Sequence, residues 1–179
     1  ELAQKTFRWI DEHAHDEKNG GYFEWLTRDG KVVPGNPESV TMQSVPLAHF
    51  PVGYKSMNTH IHLLESFTQL YRVWKDDTLR QRLEELLALN RDRICVQPGV
   101  MNLYFTNDWR PIPDHDSYGH DVETAYLMLE AEDILGHGHD PHTNTWPSSS
   151  SIMRSPTGGT KPTAASFRMA PPSASPNPG

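Results

Sequence analysis

One cysteine, Cys95, stands in 179 residues, so no internal disulfide framework can staple the chain. That usage fits a reducing compartment, and a cytoplasmic location is the expectation. A lone thiol of this kind is expected to be a small, buried apolar residue rather than a nucleophile. No run of 18 apolar residues occurs, which leaves no membrane-spanning helix to read from the sequence. The chain opens on Glu1 rather than Met, and no basic stretch or apolar segment follows. No signal peptide is visible, and the start is expected to be missing. Positive charge is scarce: 16 Lys and Arg against 23 Asp and Glu give a net charge of −7. That balance argues against nucleic acid or an anionic membrane surface as partner. Gly20-Gly21 and Gly158-Gly159 are too short to form a phosphate-cradling loop.

A further scarcity is regional. Residues 141–179 contain no Asp, Glu, Leu or Val, yet hold eight of the 15 prolines among Ser, Thr, Ala and Gly. Such a segment cannot bury enough apolar surface to offset its ordering entropy and is expected to be a disordered tail. Residues 1–140 carry all the acidic residues and a recurrent apolar pattern, and are expected to form the folded part.

Within that part the periodicity predicts helices over 2–14, from Asn58 through Trp74, over 77–90 and over 120–135. Leu64, Phe67, Tyr71 and Trp74 share one face of the second helix, and Leu79, Leu83, Leu86 and Leu87 one face of the third. Asn19-Gly20-Gly21 is expected to stop the first helix through positive φ. Arg28-Asp29-Gly30 predicts a hairpin between 22–26 and 31–33. Residues 34–52 read as a long loop, 102–106 as a short strand and 107–119 as a polar loop. The expected fold is all-α: helices in consecutive pairs, joined by loops with short hairpins.

Two polar clusters open otherwise apolar helices. Asn58, His62 and Glu65 are spaced i, i+4, i+7 and share a face. His120 and Glu123 are i, i+3 neighbours, an arrangement in which a carboxylate can orient an imidazole and raise its basicity. A solvated or capping pair is the plain alternative for each. Two such clusters, each at the start of an apolar helix, bring a functional site level with that alternative, and both readings stay open. His13 and His15, among Asp11, Glu12, Asp16 and Glu17, are expected to lie on a solvated face. A metal site is not expected: residues two apart on a helix point about 200° away from each other, so His60 and His62 cannot chelate one ion, and no Cys spacing supports zinc.

The stretch Asn58-Thr59-His60-Ile61-His62-Leu63-Leu64-Glu65, followed by Leu70-Tyr71-Arg72-Val73-Trp74, resembles the Asn-Thr-His-x-His motif of cellobiose 2-epimerases, a branch of the N-acylglucosamine 2-epimerase superfamily. Ser117-Tyr118-Gly119-His120-Asp121-Val122-Glu123 resembles their second histidine motif, and residues 16–23 a loop that recurs in them. The resemblance covers residues 1–140, about a third of a full member. It implies an incomplete (α/α)6 barrel and inversion at C2 of the reducing-end glucose of cellobiose and related β-1,4 disaccharides, through an enediolate. It implies no cofactor, no metal and a monomer when complete. By motif, His62 and His120 correspond to catalytic histidines, Glu123 to the carboxylate partner of His120, and Asn58 to a substrate-side residue. The resemblance further implies a third histidine and an arginine outside this sequence, so the chain alone is expected to be inactive. Another epimerase or isomerase of the superfamily, a glycosidase, and a non-catalytic carbohydrate-binding module on the same barrel stay open as alternatives.

The tail invites one more test. Shifted back by one base, the codons of residues after Ile152 permit the string His-Ala-Leu-Ala-Asn-Gly-Trp-Asp-Glu-Thr-Asn-Gly-Gly-Phe. That repeats the Asp-x-x-Asn-Gly-Gly pattern of Asp16 to Gly21. A shifted reading frame is therefore expected, with a natural Ser/Pro-rich tail as the alternative.

Overall fold

The computed structural model describes residues 1–33, 53–97, 100–112 and 117–138. Its elements run α1 (Leu2–Ala14), β1 (Lys55–Ser56), α2 (Met57–Val73), α3 (Asp77–Leu89), a π-helical turn (Asn90–Ile94), β2 (Cys95–Gln97), β3 (Val100–Met101), β4 (Tyr104–Phe105), β5 (Pro111–Ile112) and α4 (Tyr118–Leu135). None of the described helices is long and apolar enough to cross a membrane. The 34–52 loop and the tail after Asp140, with its reading-frame question, lie outside the described residues.

Sequence-coded caps set the helix boundaries. Ser56 opens α2, its hydroxyl accepting from Thr59 N. Asp76 opens α3, accepting from Thr78 N and Leu79 N. Each cap satisfies amides that the first turn would leave bare. Gly136, at φ 74°, closes α4, where a left-handed residue lets His137 N reach Glu132 O. The apolar stripes then merge into one core. Ile61, Leu64, Phe67 and Tyr71 of α2, Leu79, Leu83, Leu86 and Leu87 of α3, and Leu127, Met128, Ala131 and Leu135 of α4 are all buried in it. Phe7 brings α1 in, edge-on to Phe67 at 5.0 Å and to Trp74 at 5.9 Å. Each such side chain contributes about 1.5–3 kcal/mol by leaving water.

Two small antiparallel sheets sit beside the helices. One orders β1-β4-β5, with Lys55 opposite Phe105 and Tyr104 opposite Ile112. The other pairs β2 with β3 across an irregularity between Cys95 and Gln97. These two- and three-residue strands are mostly absent from the sequence pattern, because they are too short to alternate. The Arg28-Asp29-Gly30 turn is present, with a bridge between Leu26 and Val32. Cys95 is half-buried beside the core, and burial pushes its thiol up to about 12, an unreactive state. Two helix starts, and what stops α1, differ from expectation. Helices α2 and α4 begin at Met57 and Tyr118, a little earlier than the polar clusters suggest. Helix α1 ends at Ala14 because His15 turns extended and bridges Tyr22, so Gly20 and Gly21 shape the following loop instead of capping the helix.

Candidate active site

The first turns of α2 split the paired histidines. His60 is fully buried: its Nδ1 lies 2.7 Å from Ser56 O, and its Nε2 accepts from Tyr22 N at 3.0 Å. A carbonyl can only accept and an amide can only donate, so the ring is neutral with its proton on Nδ1. His62, two residues on, faces outward with 46% of its side chain exposed, and its Nδ1 lies 3.3 Å from Glu65 Oε2. Asn58 is half-buried one turn earlier. The opposite directions of His60 and His62 follow from the helical repeat, as the spacing requires. With both ring nitrogens engaged, His60 has no lone pair for a metal and no proton to trade.

At the start of α4, His120 is half-buried and its Nδ1 lies 2.7 Å from Ser117 Oγ. Glu123, expected as its partner, stands one turn further along, so the hydroxyl of Ser117 is the group that orients the ring in this structure. Helices α2 and α4 pack side by side in parallel. Glu130 accepts from Gln69 and Arg72, 61 and 58 residues away in sequence. Nearer the helix starts, Tyr126 lies within the field of Glu65; its phenol is raised, first by its hydrogen bond to Glu130 and in smaller part by Glu65. His62 is the sixth residue of α2, and His120 and Glu123 are the third and sixth of α4. His62, His120 and Glu123 thus fall in the first two turns of their helices, and Glu65 at the middle of α2.

Beneath them is a network that the sequence reading placed wrongly. Asp16 is buried, not solvated, and so is the ring of His15, whose Nε2 lies 3.1 Å from Glu85 Oε2. Asp11 receives Arg82 Nε at 2.6 Å and the Tyr22 hydroxyl at 3.1 Å. His13 packs its ring on Trp9 and under Gly30. At the centre is Lys55, fully buried, whose Nζ donates to Asp16 Oδ2 (2.7 Å), Gly20 O (2.6 Å) and Asn107 O (3.0 Å). Trp109, held at φ 65°, donates its indole N–H to Asn19 O at 3.0 Å and sets its ring 4.8 Å from that of His60. Gly21 fits because it lacks a Cβ, which would stand 2.6 Å from both the His60 and Trp109 rings. Burial alone would raise the Asp16 carboxyl, but hydrogen bonds from Lys55 and Asn19 outweigh it and the group titrates low. Burial lowers the Lys55 ammonium, with Asp16 opposing part of the effect.

His60 gives this network a pH dependence. Burial lowers its pKa to about 4; the bond to Ser56 O and the charge of Glu85 oppose the shift, and Lys55 adds to it. Between that value and the ordinary 6.5, the unfolded chain binds a proton that the folded chain refuses. Stability from this group is complete above pH 6.5 and falls as pH drops toward 4, by on the order of 3 kcal/mol. Asp16 acts in the same direction, but only below its ordinary value of 3.8. Urea midpoints at pH 7 and pH 4.5 should therefore differ, and His60→Asn, which cannot titrate, should flatten the dependence between them.

Comparison with known proteins follows from this geometry. The family model for N-acylglucosamine 2-epimerase (GlcNAc 2-epimerase) matches residues 35–146. A cellobiose 2-epimerase of Bacteroides fragilis is 36% identical over 135 residues, which are 75% of this chain and 32% of that protein. One of Ruminococcus albus is 29% identical over 136 residues, 75% of this chain and 32% of its own length. Among solved structures, the cellobiose 2-epimerase from Spirochaeta thermophila superposes with a TM-score of 0.67 at 31% identity, over 81% of this chain and 34% of that one. That from Bacillus thermoamylovorans gives 0.64 at 29% identity, over 79% and 34%. The paired helices are thus part of an (α/α)6 barrel, and the chain spans about a third of the length of the curated relatives it matches.

Proposed function

The chain belongs to the N-acylglucosamine 2-epimerase family, and from that premise we propose that it forms part of an enzyme that inverts C2 of the reducing-end glucose of cellobiose and related β-1,4-linked disaccharides. The observation that supports the reading is the packing of α2 against α4, two helices whose first two turns carry His62 and His120.

The chemistry asks for these residue types. In the opened sugar the C2 proton lies α to the aldehyde, and its removal needs a base that works near neutral pH, which imidazole provides. The electron pair left behind becomes an enediolate, whose oxygen needs hydrogen-bond donors. Return of a proton to the opposite face of C2 inverts the centre, so two acid/base groups on two walls suit the reaction better than one. His62 and His120 take those roles, each with a neighbour that fixes its ring: Glu65 for the first and Ser117 for the second. Glu123, a turn beyond His120 on the same helix, is the carboxylate of the second motif in this reading. Asn58, one turn before His62, offers an amide to a sugar oxygen. The disaccharide and the C2 chemistry are supported by the relatives, which are cellobiose 2-epimerases.

A chimera tests this reading. Residues 1–138 replace the aligned segment of the Bacteroides fragilis enzyme, and the folded product is incubated with cellobiose in deuterated water. The expected outcome is a disaccharide with a mannose reducing end and deuterium at C2. Release of glucose would instead mark a glycosidase. A folded chimera that leaves cellobiose unlabelled would remove the epimerase reading.

A further inference from the structure

The Asp-x-x-Asn-Gly-Gly loop is a distinctive motif of the sequence, and the reaction proposed above uses none of it. We propose that Lys55 and His60 are positioning residues: they lock the first turns of α2 onto the 16–21 loop and the 106–109 turn, and so fix where Asn58 and His62 stand.

Each lock is saturated. An ammonium has three N–H groups, and Lys55 spends them on three oxygens from two separate segments, Asp16 and Gly20 of the loop and Asn107 of the turn. This sets the depth of α2, because Lys55 immediately precedes the cap residue Ser56 and pairs with Phe105 in the sheet. Met57 N, donating to Leu103 O, ties the next residue to the same strand region. His60 sets rotation. One nitrogen closes its own helix turn on Ser56 O, and the other takes Tyr22 N across the interface, with the Trp109 ring edge-on beside it. His62 stands about 200° around the helix from His60, so a rotation that displaces one ring swings the other. The close approach leaves no slack, since a single methyl at Gly21 would meet both rings. The groups facing His60 from the packed segments are Lys55 and Glu85, and Glu85 is itself held by Gly21 N at 2.6 Å and by His15. The locking stands on this geometry alone; that it serves a reaction rests on the proposed function of Asn58 and His62.

Two measurements on the 179-residue chain test the inference without using turnover, so a failed chimera would not count against it. The first needs no variant. Hydrogen exchange of the Gly21 and Tyr22 amides should be protected to within about threefold of the Thr59 and Ile61 amides, because loop and helix start open as one unit. Tyr22 exchanging more than tenfold faster than Ile61 would show that the loop does not hold the helix, and would overturn the proposal. The second compares two replacements of His60. Asparagine places an amide nitrogen where Nδ1 was and keeps the donor to Ser56 O; glutamine places its amide near Nε2 and abandons that donor. Imidazole correlation spectra should show the His62 ring signals near their parent positions in His60→Gln, whose amide oxygen can still accept from Tyr22 N across the interface, and displaced in His60→Asn, which keeps only the bond within its own helix turn, at matched loss of unfolding midpoint. Equal displacement in both, or none in either, would leave His60 an ordinary core residue.

Discussion

Alanine at His62 or at His120, placed in the active chimera, is expected to slow deuterium entry at C2 by about 10²–10⁴-fold, equivalent to about 3–5 kcal/mol of barrier. The size follows from the role: a general acid/base removed from the transition state leaves proton transfer to water. Neither change should reduce stability much, because His62 is exposed and His120 is a half-buried residue at a helix start. The flanking groups rank lower. Ser117→Ala frees the His120 ring but leaves its nitrogens in place, so a loss of about tenfold or less is expected there. The decisive contrast lies inside the motif. His60→Ala should lower the unfolding midpoint sharply, whereas His62→Ala should lower turnover and leave the midpoint alone. Should His62→Ala turn over within a few-fold of the parent while folded, the assignment of His62 as an acid/base is gone. Turnover and unfolding curves on the same preparations distinguish the cases.

How much of this is legible in the sequence depends on the range over which each cause acts. The helices α2 and α3 are legible because Leu64, Phe67 and Tyr71, or Leu79, Leu83 and Leu86, repeat within a few residues and report a single buried face. The divergence of His60 from His62 is legible for the same reason. Strands such as Lys55–Ser56 are not, since two residues cannot show a period. The packing of α2 against α4 is not legible either: it joins helices whose starts lie about 60 residues apart in sequence. The largest misreading was the stretch around His15 and Asp16. A run of Asp, Glu, His and Lys reads as a solvated face because charged residues are almost never fully buried unless paired. The pairing partners, Lys55 and Glu85, lie 39 and 70 residues away. One local signal was available. Two consecutive glycines at φ 76° and 74° mean a backbone that turns tightly and is approached closely, and here a tryptophan, a histidine and a lysine make that approach.

Lys55→Met should cost about 3–5 kcal/mol of stability, among the largest effects of any single change in this chain. Methionine matches the lysine stem in bulk and removes only the ammonium, so the loss reads the charge and its three bonds rather than a cavity. Asp16 would stay buried with its bonds from Lys18 N, Asn19 N and Asn19 Nδ2, but without the cation that offsets its desolvation. Asn107 O would lose the Lys55 donor, while Gly20 O would keep only Trp109 Nε1 at 3.2 Å. Distance is not what makes the pair strong. Lys31 Nζ and Asp29 Oδ2 lie closer, at 2.6 Å, but are 80% and 60% exposed. Water already solvates both of those ions, so Lys31→Met should not change the unfolding midpoint measurably. The double variant Lys55→Met with Asp16→Asn separates charge from hydrogen bonding. Without the carboxylate, no uncompensated ion remains, and the double variant should be more stable than Lys55→Met alone. Guanidinium unfolding of the four proteins gives the comparison. If Lys55→Met costs under about 1 kcal/mol, the ammonium is not what joins the 16–21 loop to the start of α2, and the depth of that helix must be set by the sheet pairing of Lys55 with Phe105 instead.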